Sequence, residues 1–231
     1  MTEEKFLQRS IDDRASRAAQ RRAHILEISR HLFIENGFHG TGVAQIASAT
    51  GVKVGQIYRD FASKEDIIAA IAARDLTRFL DEGALDHAIR VGDIAGIRAW
   101  ILTFVSYSDD LEGYRLMPEI MAESARNPRI ATVRAELSDQ IQNTLLTALA
   151  ACAPGDAHAT ARADLADLIH TLGGGLCQWI VVTAQQGRDY KRLCAQLSSI
   201  IERELDALIA RTKGQSPFHV MSSSETITIP V

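Results

Sequence analysis

The chain has 231 residues, 46% hydrophobic and 23% charged, with a formal net charge of −4. That length suffices for one or two domains with a substantial core, the composition excludes a disordered or fibrous chain, and the acidic balance excludes a general polyanion binder. The start, MTEEKFLQRSIDDRASRAAQRR, has no apolar centre and does not read as a secretory signal, and no run of about 18 unbroken apolar residues marks a membrane span.

Cys152, Cys177 and Cys194 are odd in number and far apart, with no C-x-x-C pair and no His/Cys cluster at zinc spacing. They read as reduced thiols of a cytoplasmic protein, with no metal or other cofactor implied. Charge is uneven along the chain. Arg14, Arg17, Arg21, Arg22, Arg30, Lys53, Arg59 and Lys64 stand against Glu27, Glu35 and Asp60, a local balance of +5 that leaves −9 for the remainder. A small basic end on an acidic body suits local contact with phosphates, and arginines coating helix surfaces would give the same count.

Apolar residues recur at helical spacing almost throughout, so the fold is expected to be all-α. A first helix is predicted over 19–36, with Ile25, Ile28, Leu32 and Phe33 on one face and Asn36-Gly37 as its stop. Two short helices follow at 43–50 and 54–61, with Thr41 as the predicted cap of the first and Gly51 between them. Ser63, with Asp66 three positions on, caps a longer helix carrying Ile67, Ile68, Ile71, Leu76 and Phe79 to about Val91. Asp93 caps the next, which carries Ile97, Trp100, Ile101, Phe104 and Val105, and a further helix spans about 111–126 with Met117 and Met121.

Asn127-Pro128 is a cap followed by a residue with no amide to satisfy; it opens a helix carrying Val133, Leu137, Ile141, Leu145 and Leu149 that ends near Pro154-Gly155. Two strongly periodic helices come last: Leu165, Leu168, Ile169, Leu172, Leu176, Trp179 and Ile180 mark one, and Leu193, Leu197, Ile200, Ile201 and Leu208 the other. The tail GQSPFHVMSSSETITIPV has no helical period and is expected to be mobile, although ETITIPV alternates like a strand.

The sharpest signal is GFHGTGVAQIASATGVKVGQIYRDFASKED, with Gly37, Thr41, Ile46-Ala47, Gly51-Val52, Gly55, Ile57-Tyr58, Phe61 and Lys64 at fixed spacing. Over about Arg22 to Ile68 it closely resembles the amino-terminal helix-turn-helix of the TetR/AcrR family of transcriptional regulators. Ala47 is small where the third helix must cross the second, and Gly51 makes the tight turn between them. Val52, Ile57 and Phe61 would anchor the third helix, leaving Lys53, Val54, Gln56, Tyr58 and Arg59 to face outward. Gly55 costs roughly 1 kcal/mol of helix stability relative to alanine, in exchange for close approach of backbone to DNA.

On this reading Gln56 meets a base edge, with adenine its best bidentate partner, and Arg59 meets guanine or a phosphate. Lys53, Tyr58 and, by resemblance, Lys64 contact the DNA backbone, aided by amides at the start of the fourth helix; Thr41 belongs to the same set. Asp60 departs from the family pattern; pairing with Arg59 or Lys64, or a lowering of affinity, is expected of it. Arg14, Arg17, Arg21 and Arg22 form either an arm into an adjacent minor groove or a solvated one.

The resemblance implies an organisation of 1–18 as a mobile arm, 19–64 as the helix-turn-helix domain, 65–211 as a helical effector-binding and dimerisation domain, and 212–231 as a mobile tail. It also implies a ligand-responsive repressor acting as a homodimer on a palindromic operator in double-stranded DNA. Leu165, Leu172, Leu176, Leu193, Leu197, Ile201 and Leu208 are the candidate interface. Trp100, Phe104, Tyr107, Tyr114, Met117, Met121, His170 and Trp179 are the candidate walls for a small apolar or aromatic effector, each explicable also as core. Gly173, Gly174 and Gly175 mark a close approach by a helix or ligand, or a bend. No Gly-rich phosphate loop, G-x-S-x-G or H-E-x-x-H suggests an enzyme. A helical adaptor using the helix-turn-helix as a packing surface is the alternative.

Overall fold

Helical periodicity is realised throughout the computed structural model, which describes residues 3–106, 111–183 and 186–214. Among these the elements are α1 (Glu3–Gly40), α2 (Val43–Thr50), α3 (Val54–Asp60), α4 (Lys64–Leu80), α5 (Glu82–Val91), α6 (Ile94–Leu102), α7 (Leu111–Ser124), α8 (Pro128–Cys152), α9 (Ala159–Thr183) and α10 (Tyr190–Gly214). Short 3-10 turns follow α6 at Thr103–Val105 and precede α9 at Asp156–His158, and no strand occurs among the described residues. ETITIPV and Tyr107 lie outside them.

Three expected boundaries move. The backbone is helical from Glu3, so the segment expected to be a mobile arm is largely the first part of α1. Gly37, at φ +73, breaks the helical path where Asn36-Gly37 predicts a stop, and a last turn runs on to Gly40. Asp81 divides the single helix expected over 63–91. At φ +39 it ends α4, and its carboxylate accepts from Ala84 N to start α5.

The predicted caps at Ser63, Asp93 and Asn127 form, accepting from Asp66 N at 3.2 Å, Gly96 N at 2.9 Å and Arg129 N at 3.1 Å. Thr41 is not a cap. Gly42 occupies that place at α2, and the buried Thr41 hydroxyl instead donates to Leu32 O and Gly37 O, securing the end of α1.

One continuous core joins the two parts of the chain. Ile25, Phe33, Phe38, Ile46, Ile57, Phe61, Ile67 and Ile71 fill its amino-terminal end, and residues of α6 to α10 fill the rest. Pro118 lies inside α7 and has no N–H for the carbonyl of Tyr114 four residues back. The Cys177 thiol of α9 donates to that carbonyl at 3.7 Å. Burial pushes the pKa of all three free cysteines upward, which favours the protonated thiols.

Gly173 is where the glycine run is needed: a Cβ there would sit 2.8 Å from Phe104 O, in backbone that cannot swing aside. Gly173→Ala is therefore expected to destabilise the protein by about 1–3 kcal/mol in denaturant unfolding. Gly174 and Gly175 face open space, so close packing within the protomer does not require them. By length and composition α9 with its preceding turn is apolar enough to cross a membrane, although Arg162, Asp164 and Asp167 interrupt its apolar residues. Here its Leu165, Ile169, Leu176 and Ile180 stripe is buried in the bundle.

Candidate nucleic-acid interface

The geometry begins with what holds α3 from behind. Ile57 and Phe61 are buried in the amino-terminal core, and Gly51, at φ +70, turns the chain from α2 toward α3. That places Lys53, Val54, Gly55, Tyr58 and Arg59 outward, with Val54 41% and Tyr58 52% exposed, while Gln56 is half-buried. A Cβ on Gly55 would meet nothing within 4 Å, so the protomer itself does not demand a glycine there. An isolated seven-residue helix is not stable alone; tertiary anchoring fixes it.

The far end of α3 is bolted to α1. Arg21 Nε donates to Asp60 Oδ2 at 2.6 Å and its Nη2 to Oδ1 at 3.0 Å, a two-pronged ion pair. Arg22 Nη1 donates to Asp60 O, and its guanidinium lies 4.1 Å from the centre of the Phe61 ring. Asp60 therefore pairs with neither Arg59 nor Lys64, and Arg21 and Arg22 are fastened to the recognition helix rather than free to form an arm. Arg59 Nε donates to Gly55 O at 3.4 Å. The Arg21 fork holds the Asp60 carboxyl below the usual aspartate range, with Gln56 and Arg22 adding in the same direction. Because the lowered value belongs to the folded state, this tie is fully present above the ordinary carboxylate range and is lost as pH falls through that lowered value.

Two residues of the expected contact set turn inward. Thr41 is fully buried. Lys64 Nζ donates to Phe38 O at 2.6 Å and Thr41 O at 3.0 Å and sits 4.1 Å from the Phe38 ring centre. It ties the start of α4 to the elbow after α1, so its charge is committed within the protomer.

Beyond this domain the predicted site residues scatter. Trp100 and Phe104 are buried core: the Trp100 indole N–H donates to Leu80 O, and Phe104 stacks edge-on against Trp100 at 5.3 Å and Phe79 at 5.0 Å. Met121 is exposed, and Trp179, 45% exposed, lies on the outer side of α9 with Arg188 over its ring. Tyr114, Met117 and His170 are half-buried, and burial lowers the pKa of His170, favouring its neutral form. The clefts beside the bundle, of about 200 Å³ next to Leu168 and Arg211 and about 230 Å³ next to Glu82 and Asn143, are lined by none of these residues.

The interface candidates divide too. Leu165, Leu176, Ile201 and Leu208 are buried within their own protomer, and Leu172, Leu193 and Leu197 are half-buried against its core. The face that α9 leaves outward carries Asp164, Leu168, Thr171, Gly175, Trp179 and Val182, the last 66% exposed. Its spacing of three and four was present in the sequence, but apolar residues on both sides of α9 concealed which side turns inward. A second unforeseen feature is the grip of α7 on α1. Glu119 Oε2 accepts from Phe38 N at 3.4 Å, and the buried Glu123 lies 2.8 Å from His39 Nε2. Arg129 at the start of α8 pairs with Asp66 of α4.

Residues 25–71 match the sequence model of bacterial regulatory proteins of the tetR family. The transcriptional regulator UidR of Escherichia coli K12 is 32% identical over 124 residues, 53% of this chain and 61% of that protein. The repressor KstR2 of Mycobacterium tuberculosis is 35% identical over 71 residues, 31% of this chain and 34% of its own length. The chain thus spans about three fifths of the first of these curated relatives. Salmonella enterica GusR superposes with a TM-score of 0.59 at 24% identity, covering 81% of this chain and 96% of that one. A chain from Saccharomonospora viridis described as a transcriptional regulator in complex with choline gives 0.59 at 20% identity, covering 80% and 96%. At such identities the likeness is one of fold.

Proposed function

This chain belongs to the TetR family of bacterial transcriptional regulators, and from that premise we propose that it acts as a homodimeric repressor on a palindromic operator and is released by a small apolar or aromatic effector. The observation that carries the DNA-facing part is the outward set Lys53, Val54, Gly55, Tyr58 and Arg59 on a helix fixed from behind by Ile57 and Phe61. One short helix reads few bases, so a two-fold pair on matching half-sites supplies the missing affinity.

The second copy is assigned to the outer face of α9. An antiparallel crossing at Gly175 would bring Leu168 and Val182, both exposed on that face, into the seam. The exposed, Cβ-free Gly174-Gly175 pair supports this reading because it allows two helix backbones to approach closely. For effector response, α7 is the natural carrier. It presents half-buried Tyr114 and Met117 at one end and grips the Gly37–His39 elbow through Glu119 and Glu123 at the other. The choline complex of the Saccharomonospora viridis protein supports a small-molecule ligand in this fold. An effector acts only by its differential affinity for the DNA-competent and incompetent states.

A nuclease footprint on a duplex enriched from random DNA tests the proposal. Two protected half-sites related by a two-fold axis, with centres roughly 34 Å apart or a multiple of that, are expected. A single asymmetric protected site would refute the dimeric reading.

A further inference from the structure

We propose that Asp60 is a positioning residue for base recognition: it locks the amide of Gln56 in one flip, so that α3 selects adenine at one position of each half-site. The inference rests on the DNA-binding reading and adds to it what the recognition helix reads.

Asp60 cannot address a base itself, because its side chain is only 9% exposed and both its oxygens receive the Arg21 fork. One helical turn earlier, Gln56 Nε2 lies 3.5 Å from each of those oxygens. An amide oxygen turned to that carboxylate would set acceptor against acceptor, so the nitrogen edge must face Asp60. One N–H is thereby committed, and Oε1 with the second N–H is left to the groove. An unrestrained glutamine can offer either edge: nitrogen to guanine O6/N7 or thymine O4, oxygen to adenine N6 or cytosine N4. With the flip fixed, adenine uses both remaining groups, its N6 donating to Oε1 and its N7 accepting the second N–H, whereas guanine and thymine can take only that N–H and cytosine only the oxygen. Arg21 makes this possible twice over, by orienting the carboxylate and by neutralising a charge that would repel the DNA backbone.

The test measures affinity for operator duplexes, obtained by selection from random DNA, with each half-site position varied through all four bases. The full chain is compared with Gln56→Ala, Asp60→Ala and the double variant. The native chain is expected to favour adenine over the other three bases by about tenfold at one position. Gln56→Ala and Asp60→Ala should each flatten that preference, and the double variant should flatten it no further, because Asp60 acts through Gln56.

A preference that survives Asp60→Ala overturns the proposal. So does an equal loss of affinity for all four bases, which would make Asp60 a structural clamp only, and so do additive losses in the double variant. Asp60→Asn, which keeps the side-chain size and one acceptor oxygen, should lose part of the preference and serves if alanine unsettles α3. If the native chain selects no duplex at all, the DNA-binding reading itself falls, at a step before any variant is compared.

Discussion

Gly175→Glu is expected to leave the protomer folded and to convert the protein to a monomer, with operator affinity reduced by roughly 100-fold or more as bivalent engagement is lost. A Cβ at this position meets no atom of its own protomer within 4 Å, so the protomer has room where the new side chain begins. Across a two-fold crossing the substitution acts twice, placing two carboxylates where two backbones should touch, and like charges in a closed interface cost several kcal/mol. Light scattering behind size exclusion reads the mass, and anisotropy on the selected operator reads the affinity. A dimer with unchanged affinity would move the interface away from the outer face of α9.

Lys64→Met is expected to destabilise the amino-terminal domain by about 2–3 kcal/mol, since it removes a charge-assisted donor from two carbonyls while keeping most of the aliphatic stem. Phe38 O and Thr41 O are the groups left without it, and Phe38 loses the cation over its ring. If Lys64 served only as a phosphate contact, unfolding by denaturant would be unchanged and only DNA affinity would fall. The expected result is a lowered denaturant midpoint without DNA present.

The contrast between Lys64 and Tyr58 shows what could be read from the chain. Local grammar was legible: Ser63, Asp93 and Asn127 cap helices where their spacing says, and Ile57 and Phe61 turn inward where the helix-turn-helix pattern puts them. Roles set by partners far along the chain were not. Asp60 meets Arg21 39 residues away, and Lys64 reaches carbonyls 23 and 26 residues away, pairings that no periodicity encodes.

Asp81 split a helix that its apolar stripe predicts to be continuous, because a stripe records which face is buried and not the one residue whose backbone turns left-handed. The most regular leucines of α9 and α10 went to the protomer's own core, since an interior must be filled before a surface can be shared. Trp100 and Phe104 were drawn into that core by the same logic, and Trp179 was turned out of it.

Binding of the selected operator by the native chain and by a Lys53→Ala/Tyr58→Ala double variant, followed by anisotropy across a salt series, asks whether DNA lies against the outward face of α3. Both side chains are exposed, so thermal unfolding of the variant should match the native chain. Affinity should fall by about tenfold or more on every sequence, and the slope of log affinity against log salt should become shallower by about 1 for the lost lysine charge. Unchanged affinity with an unchanged slope would place the DNA on some other surface.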